Sequence, residues 1–444
     1  MKYFLAPLGC QMNKSDSERI ASVLEEMGFI RTQEEKEADI LGIVACSVRQ
    51  KSINKVYGRI QKWNEWKQSK SLLTFLSGCI LPADEIKFVQ LFDLVFKINE
   101  LPDLPQIISQ YGINTPLSRE IMLAHEGKKE FDTLFWKIQP RYSSSIQAYI
   151  PIQNGCNKFC SFCAVPYTRG REVSRPSGEI LAEMERLIAS DYRTITLLGQ
   201  NVNSYGLDRP GEELNFSQLL EAIGKMGEKS SKEFWVYYTS PHPSDMKKDV
   251  LETMAKYPCL AKHVHLPIQS GDDDILKKMN RSYNLGIYRN IVENIHQILP
   301  SATLFTDIIV GFSTETQEQF ENTLKAMEEF QYDMAYVAQY SPRPGAASYQ
   351  WTDDVPGEEK KRRFHILTEV LKKITWKKNQ AMIGKVYRAL VEGQDRKEGL
   401  LCARTEGLIP IQFPSSDLSL IGNFVDVYIA SATPFAAAGK RVTK

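Results

Sequence analysis

Three cysteines, Cys156, Cys160 and Cys163, form a C-x3-C-x2-C run on one short stretch, Gly155 to Cys163. Thiolates so spaced can converge on one centre, and soft sulfur ligands favour an iron-sulfur cluster or zinc. Three ligands leave the fourth position of a four-iron cluster open, and an open position can hold a substrate where a closed four-cysteine site suits structure or electron transfer. The bland alternative is three buried thiols with no metal, but clustered cysteines in an intracellular chain more often signal metal or redox chemistry. Three more cysteines, Cys10, Cys46 and Cys79, lack such spacing. Each follows a short apolar run instead: Lys2 to Leu8, Ile40 to Val44 and Leu72 to Leu76.

Those runs read as strands separated by helices. Ser15-Asp16-Ser17-Glu18 has the form of a capping box opening a helix whose face is Ile20, Val23, Leu24 and Met27 and whose end is Gly28. A second helix is expected from about Arg49 to Lys67. The βαβαβ order implies a Rossmann-like, mostly parallel sheet. Its carboxyl strand ends share one edge, where ligands bind. Cys10, Cys46 and Cys79 are therefore expected side by side as a second three-thiolate site. The alternative for each is a small buried hydrophobe at a strand end. Residues 100 to 145 read as a linker or irregular edge.

Six further strands, Ile146 to Ile152, Thr194 to Leu198, Phe234 to Tyr238, His263 to Leu266, Leu304 to Val310 and Met334 to Ala338, alternate with helical patterns and predict an incomplete (βα)6 barrel. Function in such barrels sits at the carboxyl ends of strands. The Cys156 loop follows the first strand. Gly199-Gln200-Asn201, then Ser240 and His242, then Gln269-Ser270-Gly271, then Gly311 follow the next four, and on one face they would form a pocket although each alone is an ordinary solvated loop. Arg169, Arg171 and Arg175 either grip phosphate or carboxylate groups or are surface charges paired to Glu172 and Glu179. His263 and His265 lack companions for a metal set, and Cys259 and Cys402 read as structural thiols.

The C-terminal stretch Gly357 to Lys378 is an amphipathic helix pattern with Phe364, Leu367, Leu371 and Ile374 on one face and a basic outer side. Short strands such as Val386 to Glu392 and Phe424 to Ile429 then suggest a five-stranded barrel of the oligonucleotide-binding type. Across 444 residues, 55 Lys and Arg stand against 54 Asp and Glu, so any nucleic-acid contact must come from local patches. No apolar run reaches membrane-spanning length, the opening residues lack a secretory core, and Asp/Glu-rich helical sequence after Pro7-Leu8-Gly9-Cys10 argues against a lipoprotein site. The expectation is a cytoplasmic chain.

The cysteine run is similar to the signature of radical S-adenosylmethionine enzymes, and its continuation Ala164-Val-Pro-Tyr-Thr-Arg-Gly-Arg-Glu172 resembles the methylthiotransferases among them. Gly9-Cys-Gln-Met-Asn-Lys-Ser-Asp-Ser-Glu18 and Cys46-Ser-Val-Arg-Gln-Lys51 resemble the amino-terminal domain of the tRNA methylthiotransferases, and the C-terminal module resembles a TRAM domain, a tRNA-binding appendage. Val44-Ala45 stands where the family usually has Asn-Thr, and Ile80-Leu81-Pro82 replaces a polar turn; both flank ligands and bear on cluster tuning.

The resemblance implies two four-iron clusters, one on Cys156, Cys160 and Cys163 whose open iron chelates S-adenosylmethionine and whose reduction yields a 5′-deoxyadenosyl radical, and an auxiliary one on Cys10, Cys46 and Cys79. It implies cofactor contacts at Gly199, Gln200, Asn201, Gln269, Ser270 and Gly311, with no catalytic residues beyond the clusters. It implies three domains, 1–140, 141–380 and 381–444. The substrate would be tRNA, with N6-isopentenyladenosine beside the anticodon converted to its 2-methylthio form; Gln11-Met12-Asn13 and Ser47-Val48-Arg49-Gln50 favour that branch. An electron donor such as a flavodoxin or ferredoxin and a monomeric chain are expected. The rivals are methylthiolation of threonylcarbamoyladenosine or of a ribosomal-protein aspartate, and a non-catalytic iron-sulfur RNA-binding protein.

Overall fold

The structure, a computed structural model, describes residues 1–47, 50–111 and 131–442. Val48 and Arg49 of the second motif, and residues 112–130 of the expected linker, lie outside the described residues. The amino-terminal sheet is parallel and runs β2-β1-β3-β4-β5, with β1 Lys2–Leu8, β2 Ile30–Arg31, β3 Ile40–Cys46, β4 Leu73–Cys79 and β5 Leu94–Val95. The central strands β3 and β4 are buried throughout, which is why they read as continuous apolar runs rather than alternating ones.

The first helix, α1, spans Gln11–Glu26 and so begins earlier than the Ser15 box suggested. Cys10 is its N-cap, in extended conformation, and the Cys10 amide donates to Asn13 Oδ1 at 3.3 Å. Ser15 and Glu18 serve elsewhere: Ser15 Oγ accepts from Arg19, and Glu18 Oε1 accepts from the Ser143 amide at 2.9 Å and hydroxyl at 2.6 Å. Glu18, which has the pattern of a cap, is spent instead on docking this domain to the next. The second helix, α2, spans Gln50–Trp66.

The central barrel is open, as expected. Strands β6 Gln147–Pro151, β9 Thr194–Leu198 and β10 Trp235–Tyr238 form one parallel half-sheet, and β11 His263–His265, β12 Thr303–Val310 and β13 Met334–Gln339 form the other. Two hydrogen bonds join the halves: the Val236 amide donates to Cys259 O at 2.7 Å and the Ala261 amide donates to Val236 O at 3.0 Å. A small antiparallel pair, β7 Gln153–Asn154 and β8 Val173–Ser174, brackets the Cys156 loop. The last module is a closed barrel, β14-β15-β16-β18-β17, built from Val386–Gln394, Leu400–Thr405, Pro410–Pro414, Phe424–Ala432 and Ala437–Arg441 in chain order.

The helix Gly357–Gln380 packs Leu367, Leu371 and Ile374 into the barrel core. Its outer side is less basic than the pattern implied, because Lys360 and Arg363 are buried. Lys360 pairs with Asp353, and Arg363 Nη1 meets Glu315 Oε2 at 2.7 Å. Among the described residues no helix is long and apolar enough to cross a membrane.

A buried charge cluster holds the first two modules together. Arg175 Nη1 reaches Glu183 Oε2 at 2.5 Å, Arg19 of α1 stands 4.0 Å from the same carboxylate, and Tyr142 donates to it. Burial works against the charged Glu183 carboxylate, but Arg175 and Arg19 together outweigh it and hold the carboxyl below its ordinary value. Removing one partner of such a pair strands the other, so Arg175→Met should cost about 3–5 kcal/mol of stability, seen as a lowered melting temperature. The folded carboxyl titrates below its unfolded value of 4.5, so this contribution is complete above that pH and is lost as pH falls through the folded value. The melting-temperature gap between parent and variant should therefore narrow below about pH 4.

Candidate metal centres and the adjoining cavity

The carboxyl end of the amino-terminal sheet brings its three thiols together. Cys46 and Cys79 are register partners on β3 and β4, and the Ser47 amide donates to Cys79 O at 2.9 Å. Asn13, fully buried one helical turn beyond Cys10, ties the group together: its Nδ2 donates to Ala45 O at 3.1 Å and lies 3.9 Å from Cys79 Sγ. Two glycines make room for it. A Cβ on Gly9 would stand 2.1 Å from Asn13 Oδ1, and one on Gly78 would stand 2.4 Å from Ala45 O and 2.9 Å from Asn13 Nδ2. The hydrogen bond with Cys46 and burial push the Cys79 thiol well above its ordinary range. Ser47 Oγ and Ser77 Oγ are buried beside these cysteines with no hydrogen-bond partner.

The second trio lies on the loop after β6 and β7. Gly155 takes φ +81, where a Cβ would collide with Arg171 O at 2.0 Å, and its amide donates to Gln200 Oε1 at 2.5 Å. Asn280 Nδ2 donates to the carbonyls of Lys158 and Phe159, and Arg281 Nη1 donates to Cys160 Sγ at 3.3 Å. The sequence offered no hint of Asn280 or Arg281, which lie more than a hundred positions along the chain. Burial pushes the Cys156 thiol up to about 11 and the Cys163 thiol up to about 12. Iron binding at either must therefore displace protons. His242 Nε2 is buried without a partner, and Arg281 and Lys158 lie near enough to join burial in keeping its ring neutral.

Both trios suit an iron-sulfur cluster: thiols converge, N–H donors point at sulfur, and hydroxyl or imidazole groups are left with nothing else to bind. Among the described residues no three His, Cys, Asp or Glu are grouped as for a single metal ion. Sulfurs around a four-iron cube stand farther apart than that.

A cavity of about 1040 Å³ opens beside the first trio; Cys156, Cys160 and Cys163 are not in its lining, and the Cys156 loop meets it through Gln200. Cys10, Cys46 and Cys79 line it at one side, Gly199, Gln200 and Ser240 at the strand ends, and Trp235, Tyr237, Phe305 and Tyr336 along the inside of the barrel. Its lining also takes in Leu390, Glu392, Arg404 and Leu408 of the last module, so that module is a wall of the cavity and not a mere appendage. The module sits over the amino ends of the strands through Trp235 against Phe424 at 4.6 Å, Tyr237 Oη donating to Glu406 O at 3.0 Å, and Thr303 Oγ1 donating to Gly407 O at 2.8 Å.

The other residues singled out from the sequence take different places. Asn201 Nδ2 donates to Asp245 Oδ2 at 2.8 Å, within a network that includes Lys158. Gln269, at φ +67, exchanges backbone hydrogen bonds with Asp307 and Ile309; Ser270 and the Gly271 amide face Thr323. Gly311, at φ +68, lies against Lys360, 2.3 Å from where its Cβ would be. Arg171 stacks on Phe159 at 4.5 Å. Arg169 and Arg175 are buried, so they are not surface charges; Arg175 does meet Glu179 at 3.3 Å, but its closer partner is Glu183. His265 pairs with Asp307 and His263 with Thr303, both at 2.9 Å.

Three family models match the chain: the uncharacterized protein family UPF0004 over residues 2–97, the radical SAM superfamily over 150–327 and the TRAM domain over 380–442. A protein of Clostridium botulinum (strain Langeland) called tRNA-2-methylthio-N(6)-dimethylallyladenosine synthase is 37% identical over 99% of this chain and 97% of its own length. Proteins of the same name from Treponema denticola and Carboxydothermus hydrogenoformans are 38% and 37% identical over 96% and 98% of this chain, and over 96% and 98% of their own lengths. Among solved structures, the radical S-adenosylmethionine methyltransferase TsrM from Kitasatospora setae, with tryptophan substrate and a SAM analogue bound, superposes with TM-score 0.51 at 12% identity over 78% of this chain and 75% of that one. That likeness speaks to fold alone.

The Gly155 geometry yields a direct check. Gly155→Ala should fold yet lose iron from the Cys156 loop after anaerobic reconstitution, whereas Gly178→Ala, with open space around its Cβ, should retain the parent's iron per chain.

Proposed function

The chain belongs to the tRNA-2-methylthio-N(6)-dimethylallyladenosine synthase family of radical S-adenosylmethionine enzymes, and from that membership we propose that its two cysteine sets divide one methylthiolation of tRNA between them. The enzyme is a tRNA methylthiotransferase that works with a four-iron cluster and S-adenosylmethionine. An aromatic C–H bond offers no acid-base route, which is why the chemistry must be delegated to a cofactor. Cys156, Cys160 and Cys163 would hold one cluster, whose chemistry when bound would be one-electron reduction of S-adenosylmethionine, and Cys10, Cys46 and Cys79 would hold a second, beside which the sulfur to be methylated and transferred would be placed.

The observation that carries this reading is the single cavity bordered by Cys10, Cys46 and Cys79, by Gly199 and Gln200, and by an aromatic lumen. Gln200 fixes the Cys156 loop by accepting from Gly155, so one residue both borders the cavity and sets the loop. Trp235, Tyr237, Phe305 and Tyr336 would give a purine base flat apolar surfaces. Substrate would be the isopentenyladenosine beside the anticodon, the branch that the relatives' name favours over threonylcarbamoyladenosine, a ribosomal-protein aspartate or a non-catalytic role. The domain division 1–140, 141–380 and 381–444, an electron donor of the flavodoxin or ferredoxin kind, a monomeric state and a cytoplasmic location belong to the same reading. Gln269, Ser270, Asn201 and Gly311 would act on S-adenosylmethionine by shaping the loops that meet it.

Anaerobic reconstitution should give about eight irons per chain, and about half that when Cys156, Cys160 and Cys163 are all changed to Ala. With Cys10, Cys46 and Cys79 changed instead, the folded chain should still yield 5′-deoxyadenosine under strong reductant but no 2-methylthio product by nucleoside mass spectrometry. A methylthiolated product from that variant would remove those cysteines as the sulfur site.

Exposed Lys373 and Lys377 on the C-terminal helix lie outside the cavity and are suited to phosphate contact. Changing both to Gln should weaken tRNA binding and flatten its dependence on log salt concentration by up to about two in slope, with reductive cleavage of S-adenosylmethionine unchanged.

A further inference from the structure

Arg169 closes the short helix Val165–Arg169, which begins two residues after Cys163, and its side chain leaves the barrel for the other cluster site. Its Nε donates to Cys79 Sγ at 2.9 Å, its Nη2 pairs with Asp16 of α1, and its Nη1 donates to Asn154 Oδ1 at 3.1 Å. The guanidinium and the carboxylate are both buried, with side chains 2% and 1% exposed. Three partners on three separate elements engage all three nitrogens of one planar fork, a spread the single nitrogen of a lysine could not match. The residue adjoins the cavity too.

We infer that Arg169 is a positioning residue for the cluster at Cys10, Cys46 and Cys79, holding Cys79 by an N–H···S bond and registering that site against the Cys156–Cys163 loop. The inference rests on the two-cluster reading above. A hydrogen bond to a ligating sulfur drains negative charge from a cluster and favours its reduced form, so Arg169 raises the reduction potential of the site it touches. Asp16 has a separate part. It cancels the charge of Arg169, so what reaches the sulfur is chiefly the directed N–H dipole.

The test uses the full chain with Cys156, Cys160 and Cys163 changed to Ala, reconstituted anaerobically, so that only the amino-terminal cluster is present. Its midpoint potential and electron paramagnetic resonance spectrum are measured for this parent, for added Arg169→Gln, and for added Arg169→Met with Asp16→Asn. The double change leaves no unpaired buried carboxylate and keeps the net charge of the pair at zero, which guards against simple misfolding. Expected are unchanged iron per chain, a midpoint potential shifted to more negative values and an altered spectrum in both. A loss of cluster in the single variant with retention and a shifted potential in the double variant also supports the inference, since it assigns the loss to stranded Asp16. Unchanged potential and spectrum in an iron-loaded double variant overturn it. A parent that binds no cluster overturns the two-cluster reading and the inference with it, an outcome told apart by iron content alone.

Discussion

Charges taken out of water at a seam are the constraint on which the arrangement depends. Arg19, Arg169 and Arg175 all lie buried where the amino-terminal sheet meets the barrel, and each finds its carboxylate there, across the seam or, for Arg175, on the barrel's own helix. A shift of even a few ångströms would leave a guanidinium or carboxylate unpaired in a low-dielectric interior, a penalty of several kcal/mol each. Apolar packing alone tolerates sliding. Paired buried charges do not, and the docking they fix is what sets the thiols of one sheet opposite the strand ends of another across a shared cavity.

The same docking explains why sequence reasoning reached some features and missed others. Strand positions were legible because buried parallel strands are unbroken apolar runs, and Cys10, Cys46 and Cys79 fell together because strand ends in a parallel sheet share an edge. The capping box at Ser15 misled because Ser15 accepts from Arg19 within the helix, while Glu18 answers Ser143, more than a hundred positions away. Asn13 carried a visible signal, an amide at the third helical position after Cys10, where a reciprocal cap belongs. Lys360 and Arg363 looked like solvent-facing charge because the partners that bury them, Asp353 and Glu315, lie off the helix, although Arg363 also meets Glu359 one turn away. Asn280 and Arg281 had no local signature at all; only the fold brings them to the Cys156 loop.

The last module changes meaning once its position is known. A small barrel of oligonucleotide-binding form would ordinarily be read as a handle for RNA, with the reaction elsewhere. Here its hairpin Glu406-Gly407 seals against β10, Lys262 and β12, and Gly407 is pressed so close to Thr303 that a Cβ would stand 2.5 Å from its Cγ2. The module and the barrel therefore share one cavity, with Arg404 and Leu408 in its lining.

The direct pairing of Cys46 with Cys79 has a consequence for the protein without its iron. Neighbouring strands stand about 4.8 Å apart, within the range of Cα separations a disulfide can span. Metal-free chain in air thus carries two adjacent thiols open to oxidation through the cavity, and a bridge between them would remove two ligands at once. The elevated thiol of Cys79 slows that loss, since only the thiolate attacks. Alkaline handling would forfeit this protection.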